Sequence, residues 1–332
     1  MRALVTASFD PAARARLERL MPVVHEDWRE RHHIYFHGEE LNRRIAAAGA
    51  DVLIVEADMV GADVLEAGAV RIVGCCRGEP VNVDVAAATR LGVPVFHAPG
   101  RNADAVADLT IGFMLTWCRH LHEIAAYYRG DAQRIEGAGD FLALYNRFTG
   151  RELGGLTVGL IGLGAVGREV AARLVAFKAR VLAFDPYVQA LPAGVQACGL
   201  DELLRTSDVV SLHAPVTPDT QGLISRERLA AMKPDALLVN TARAALTDED
   251  ALYEALRSRR LGGAALDVLV VEPLQPGNRF LALPNVIATP HVGGATVDVV
   301  RHHSEQIVDS IERHLRGEPA RWIANPVVYE RR

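Results

Sequence analysis

The stretch Thr157-Val158-Gly159-Leu160-Ile161-Gly162-Leu163-Gly164-Ala165-Val166-Gly167 decides the fold of this 332-residue chain. An uncharged, strand-forming run ends on a glycine. Three glycines in the pattern G-x-G-x-x-G then open a helical period, and that context makes an otherwise weak motif informative. Gly162 permits a tight turn, Gly164 lets the backbone approach a pyrophosphate, and Gly167 lets the helix pack on the strand. The helix start at Ala165 and Val166 offers N–H donors and the positive end of a dipole to phosphate groups. Asp185 ends the next strand-like run, Arg180–Asp185. A carboxylate about 20 residues beyond such a turn accepts hydrogen bonds from ribose hydroxyls. It repels a 2′-phosphate, and no arginine follows it directly. The expected cofactor is therefore NAD and not NADP.

Outward from this turn, short apolar runs alternate with helical periods, the mark of α/β architecture with parallel sheets. Strands are predicted at Thr157–Gly162, Arg180–Asp185, Val209–Leu212, Ala236–Asn240, Gly263–Val268 and Val286–Thr289. A smaller α/β layer precedes them, with strands at Ala3–Val5, Val52–Val55, Ile72–Gly74 and Val93–Val95 and helices at Pro11–Leu20 and Val83–Leu91. A long helix is predicted over Ala103–His122, with Asn102 as its cap, and a last helix over Thr296–Arg316. Thr247, with Asp250, reads as the capping box of a helix at Asp248–Arg257. Tyr127–Gly155 reads as a long irregular segment, and Ile323–Val327 as a tail returning to the body of the protein.

Composition narrows the function. A net charge of −5 points to no nucleic-acid or membrane partner. No run of about 18 uncharged apolar residues is present, and the N-terminal segment lacks the apolar core of a signal peptide. Four cysteines without paired spacing suit a reduced, cytoplasmic protein. His33 and His37, four apart, have no cysteine or acid cluster to complete a metal set, so no metal is expected.

Three polar residues follow later strands, where ligands bind in such sheets. They are Arg243, Glu272 and His291. Hydride transfer to a ketone builds negative charge on its oxygen. A protonated imidazole donates to that oxygen, and the neutral ring takes the proton back in the reverse direction. A neighbouring carboxylate holds the other ring nitrogen and favours the charged ring. An arginine forks onto a substrate carboxylate. Singly, each has a plainer role: a loop histidine, a turn acid, or an arginine paired with Asp248 or Asp250. Their combination after a dinucleotide turn points to catalysis.

At these residues the chain resembles the D-isomer-specific 2-hydroxyacid dehydrogenases, and in particular the phosphoglycerate-dehydrogenase-like members. The resemblance rests on GLIGLGAVGREVA (Gly159–Ala171), HAPVTPDTQGLI (His213–Ile224), NTAR (Asn240–Arg243), DVLVVEP (Asp267–Pro273) and TPHVGG (Thr289–Gly294). It implies an NAD-dependent oxidoreductase that interconverts a small D-2-hydroxy acid and its 2-keto acid, like phosphoglycerate dehydrogenase or like hydroxypyruvate and glyoxylate reductases. It implies Arg243 on the substrate, His291 as acid and base, and Glu272 as its partner. It also implies Asp267 at the nicotinamide carboxamide, and His213, Pro215, Thr220, Thr241, Ala242 and Gly293 near the cofactor. The implied fold is two doubly wound parallel-sheet (Rossmann-like) domains with a cleft between them. A discontinuous substrate domain takes 1–102 and 297–332, and the NAD-binding domain takes 103–296. Tyr127–Gly155 resembles the family's dimerisation arm, so a homodimer is expected. No further regulatory domain is expected after this core.

The pattern departs on the substrate side. The substrate loop reads Arg77-Gly78-Glu79-Pro80, where Glu79 adds a charge and Pro80 removes a donor. Glu56 follows the second strand, where an acid repels a phosphate or second carboxylate. Arg101 is expected to compensate by touching the substrate's distal end. Two alternatives stand beside the main reading. An NAD(H)-sensing corepressor shares the motifs, although no basic region or long tail supports it. Formate dehydrogenase is disfavoured because Glu272 stands where that subgroup has Gln.

Overall fold

The computed structural model describes residues 1–130 and 135–330. The chain divides into two compact units, Met1–Arg101 with Thr296–Arg332, and Asn102–Ala295. Each is a parallel-sheet α/β domain.

In the first unit, β1 (Ala3–Val5), β2 (Val23–His25), β3 (Val52–Val55), β4 (Ile72–Cys75) and β5 (Val95–Phe96) form a five-stranded sheet in the order β2-β1-β3-β4-β5. All its pairings are parallel. The strands read as continuous apolar runs because both faces are covered, and alternate residues serve opposite cores. In β3, Leu53 and Val55 join Leu41, Ile45 and Leu65 on one face, while Val52 and Ile54 join Ile307 and Ile311 on the other. The C-terminal helix Val297–Leu315 thus packs on the sheet built by the N-terminal segment. The tail does return: Ile323 bridges Phe96, Ala324 N–H donates to the Val95 carbonyl, and Asn325 Oδ1 accepts from Val95 N–H at 2.9 Å.

In the second unit, β6 (Thr157–Ile161), β7 (Arg180–Phe184), β8 (Val195–Ala197), β9 (Val209–Leu212), β10 (Leu237–Asn240), β11 (Gly263–Leu266) and β12 (Val286–Ala288) form a seven-stranded sheet. Its order is β12-β11-β10-β9-β6-β7-β8. The same alternation operates here, with Leu237 and Val239 in one core and Leu238 in the other. The chain leaves β6 toward β7 on one side and later returns beside it as β9. That reversal creates a crevice outside the carboxyl ends of β6 and β9.

Several local expectations are corrected. The long helix stops at Cys118 and a new one, Leu121–Arg129, begins after His120. His120 takes a left-handed φ of 54°, and the Cys118 carbonyl is claimed by Arg151 N–H, so the ladder cannot continue. The segment read as irregular contains a helix, Ala138–Arg147, with Phe141, Leu142 and Tyr145 exposed. Residues 131–134 of that segment lie outside the described residues. Thr247 is not a cap, because it is drawn into a bridge with Ile224. Asp248 caps Glu249–Arg257 instead, accepting from Ala251 N–H at 3.0 Å, and Asp250 pairs with Arg279. Asn102 occupies the cap position of Ala103–Cys118 without a side-chain capping bond. The short edge strands β2 and β8 escape the sequence reading because three residues carry too little periodicity.

Candidate active site

The glycine turn lies at the reversal point of the seven-stranded sheet. Gly162 has φ +99°, and a Cβ there would lie 2.7 Å from Ala214 N and from the His213 carbonyl. A Cβ at Gly167 would lie 2.2 Å from the Gly162 carbonyl oxygen. Both positions are closed to any larger residue by backbone. At Gly164 the opposite holds, since nothing lies within 4 Å of its missing side chain. Gly164 is also the cap residue of the helix Ala165–Ala176 and gives it no side-chain cap bond. The start of that helix, at Ala165 and Val166, is therefore uncapped by protein and open beside Gly164, as an anion-binding helix end must be.

Asp185 stands just beyond β7. Its Oδ2 accepts from Leu163 N–H at 2.7 Å and its Oδ1 from Tyr187 N–H at 2.9 Å. The carboxylate is thereby locked against the glycine turn, with acceptor capacity left on both oxygens. His213 follows β9 and lies under the turn, and burial pushes its pKa down to about 4. Its Nε2 meets Ser211 Oγ at 2.9 Å, while Nδ1 is sealed from solvent without a partner among the described residues. Ser211 escaped the sequence reading. The i, i+2 spacing along a strand was its signal, because it places both side chains on one face. Thr220 Oγ1 donates to the Pro215 carbonyl at 2.6 Å and accepts from Thr217 N–H, so Thr220 and Pro215 shape one loop beyond His213. Thr241 is buried against Thr110, 3.0 Å between hydroxyls. The open helix end, the Gly164 cradle and the locked acid fit an NAD molecule.

The Arg243 loop leaves β10 through Asn240. The buried Asn240 side chain accepts from Ala242 N–H at 3.1 Å and donates to the Arg243 carbonyl at 2.9 Å. An Asn at a strand end is a turn signal that the sequence reading missed. Arg243 is exposed and its Nη1 donates to the Ala242 carbonyl at 2.7 Å. Among the described residues it has no carboxylate partner. Asp248 and Asp250 are occupied elsewhere, so the plainer reading of Arg243 fails.

His291 and Glu272 meet. His291 Nδ1 lies 2.8 Å from Glu272 Oε2, and Glu272 Oε1 accepts from Leu269 N–H at 3.2 Å. An ionised carboxylate can only accept, so Nδ1 carries the hydrogen. Nε2 has no hydrogen bond among the described residues. His291 holds a left-handed φ of 58°, a conformation that costs a non-glycine residue about 1–2 kcal/mol. Asp267 offsets it. This buried carboxylate accepts from Thr289 Oγ1 at 2.6 Å, Val292 N–H at 2.8 Å and Gly293 N–H at 2.8 Å. It clamps the loop on both sides of His291. Three of its acceptor positions are thus spent on the protein itself. Thr289 was not singled out from sequence. Its place opposite an acid at the end of β11 became visible only with the register of β11 against β12.

In the first unit, Arg77 and Gly78 follow β4. Their carbonyls are tied to the loop after β5: Ala98 N–H donates to Arg77 O at 2.8 Å, and His97 Nδ1 to Gly78 O at 2.8 Å. Glu79 is exposed. Glu56 corrects expectation, because it is not a free acid. Its side chain is only 8% exposed, with Oε1 2.8 Å from Arg101 Nη1 and Oε2 accepting from Trp28 Nε1 at 3.0 Å. Burial alone would raise this carboxyl. The Arg101 hydrogen bond and the nearby charges outweigh burial and hold it below the usual range. Arg101 Nη1 also donates to His303 Nδ1 at 2.7 Å, while His303 Nε2 donates to the Ser8 carbonyl at 2.8 Å. Burial pushes the His303 pKa down to about 4, consistent with a neutral ring that accepts from arginine. Asp58 is separately engaged with Thr6 Oγ1 and Tyr35 N–H, and burial raises its pKa. No group of side chains able to hold a metal occurs among the described residues. No helix among them is long and apolar enough to cross a membrane.

Known proteins resemble this chain in sequence and in fold. Residues 111–293 match the family model described as "D-isomer specific 2-hydroxyacid dehydrogenase, NAD binding domain". The chain is 40% identical over 321 residues to YoaD of Bacillus subtilis (strain 168), a 2-hydroxyacid dehydrogenase by name, covering 96% of this chain and 92% of that one. It is 39% identical over 269 residues to the hydroxypyruvate reductase of Thermotoga maritima, covering 80% and 85%. Among solved structures, the TT0316 protein from Thermus thermophilus superimposes with a TM-score of 0.82 at 38% identity, covering 98% of this chain and 100% of that one. The chain belongs to the D-isomer specific 2-hydroxyacid dehydrogenase family. It is an NAD-dependent oxidoreductase that interconverts a small D-2-hydroxy acid and its 2-keto acid.

Proposed function

We propose that the enzyme works as a reductase of short 2-keto acids of the hydroxypyruvate and glyoxylate class, with Arg243, Glu272 and His291 as its catalytic residues. The observation that carries this is the His291–Glu272 pair at 2.8 Å, together with an Arg243 guanidinium that has no carboxylate partner among the described residues. The second of the two units, Asn102–Ala295, is the cofactor domain in this reading, and the first is the substrate domain, with Arg77, Gly78, Glu79 and Arg101 as its substrate residues. Bound NADH supplies the hydride. Arg243 holds the substrate carboxylate through its forked donors. His291 delivers the Nε2 proton to the carbonyl oxygen as negative charge develops there. Glu272 stabilises the charged imidazole before transfer and keeps Nδ1 as the donor to itself, so only Nε2 exchanges the proton. In oxidation the neutral ring recovers that proton. Asp267 keeps His291 in its strained backbone and leaves room for the nicotinamide carboxamide.

A panel of glyoxylate, hydroxypyruvate, pyruvate and phosphohydroxypyruvate with NADH and NADPH tests the reading. The expected result is turnover of the short keto acids with NADH and at least about tenfold lower kcat/KM with NADPH, since Asp185 repels a 2′-phosphate. Absence of turnover with every keto acid overturns it.

The homodimer belongs to the same proposal. The helices Leu121–Arg129 and Ala138–Arg147 bury no residue, while Tyr128, Phe141, Leu142 and Tyr145 are 55–65% exposed. An apolar surface of this kind suits a second copy. Light scattering is expected to return twice the mass of one chain, and a monomer at micromolar concentration refutes the dimer. The four free cysteines, three of them buried, support a reducing cytoplasmic location, which cell fractionation checks.

A further inference from the structure

The stretch that carries Glu272 is thinly tied to the rest of its unit. Val270 and Val271 are exposed, while Leu269 before them is buried. Among the described residues, the backbone of 269–277 makes one hydrogen bond to a residue outside 269–278: Val270 N–H donates to Glu249 Oε2 at 2.9 Å. The Glu272–His291 pair does not fix the stretch by itself. Its side chains are 37% and 47% exposed, and solvent screens an ion pair of that kind.

Glu249 stands in the first turn of the helix Glu249–Arg257. Asp248 caps that helix, so the helix does not depend on Glu249. The Glu249 side chain is largely buried, and Arg279 Nη2 lies 3.6 Å from its Oε1. Arg279 in turn is bound to Asp250 at 2.6 Å and lies over the rings of Tyr253 and Phe280. One helical turn therefore grips the chain on both sides of Glu272, at Val270 before it and at Arg279 after it. An acid in a first turn also answers the helix dipole. Asp250 does so as well, and the dipole gives no reason for the bond to Val270.

We propose that Glu249 is a positioning residue of the reaction. Through the Val270 N–H it fixes the stretch that carries Glu272, and so keeps the Glu272 carboxylate on His291 Nδ1. Without that bond the carboxylate samples other positions, and fewer imidazoles are held with Nε2 ready to give its proton. Small displacements of a catalytic group are costly because the reacting geometry is narrow. The inference rests on the proposed roles of Glu272 and His291 in keto acid reduction.

The test measures kcat and KM for hydroxypyruvate, NADH affinity and the melting curve in the wild-type enzyme, in Glu249→Ala and Glu249→Gln, and in Glu272→Ala with and without Glu249→Ala. Glu249→Ala is expected to lower kcat by about tenfold or more, with NADH affinity and KM near those of the parent. Gln keeps an oxygen acceptor for Val270 N–H, so Glu249→Gln is expected to recover most of that loss. In the Glu272→Ala background there is no carboxylate left to position, and adding Glu249→Ala is expected to change kcat by less than about twofold. A purely structural role would lower the melting temperature and cost the same in both backgrounds. Wild-type kcat in Glu249→Ala overturns the proposal, and so does a full tenfold loss that persists without Glu272. A Gln variant as slow as the alanine variant overturns the assignment to the Val270 bond. A wild-type enzyme that reduces no keto acid removes the underlying functional reading instead, so the two failures are distinct.

Discussion

Replacing His291 with alanine is expected to lower kcat by about 100- to 10,000-fold, the usual contribution of a positioned general acid, while NADH still binds. The separation follows from the geometry. In the proposed reaction His291 contributes its Nε2 proton, and it is held by Glu272 and the Asp267 loop. The turn at Gly162, Gly164 and Gly167 and the acid at Asp185 belong to other loops and keep their bonds when the imidazole is removed. Stopped-flow turnover together with NADH fluorescence titration reads both quantities. Full turnover in the variant would remove His291 from the mechanism. Lost NADH affinity would mean that the loop, and not the proton, had been damaged.

The Arg243→Ala variant is expected to lose kcat/KM for the keto acid by about 100-fold or more. Truncating one partner of a charge-assisted pair costs about 2–5 kcal/mol, and tenfold corresponds to about 1.4 kcal/mol. Arg243→Lys is expected to recover little, because an ammonium cannot reproduce the planar fork. Among the described residues Arg243 has no carboxylate to abandon, so thermal stability should stay near that of the parent. Steady-state kinetics and a melting curve decide the matter. Unchanged kcat/KM in the alanine variant would place substrate binding elsewhere.

These two side chains illustrate how far a sequence can be read. The dinucleotide turn was legible because its chemistry is local. Three glycines, an adjoining strand and an acid fall within about 30 residues, as one βαβ unit requires. Arg243, Glu272 and His291 were legible as types placed after strands. Their meeting was not, because His291 and Glu272 reach each other through two separate loops and an Asp267 clamp. The helix Ala138–Arg147 was missed for a related reason. Its apolar residues are exposed, so no buried stripe against a recognised core marked it.

Glu56 and Arg101 mark the boundary most clearly. From sequence they were an acid that repels anions and a cation that attracts them, 45 positions apart. Sequence alone determined the parallel α/β layers, the cofactor turn and a set of candidate catalytic groups, because these follow from local periodicity and short-range backbone geometry. Only the tertiary structure decided which charges cancel. Whether a carboxylate and a guanidinium pair depends on distance and burial, and these arise when β3 and β5 flank β4 and the C-terminal helix brings His303 beneath Arg101. That long-range packing turned two opposing expectations into one neutral pair.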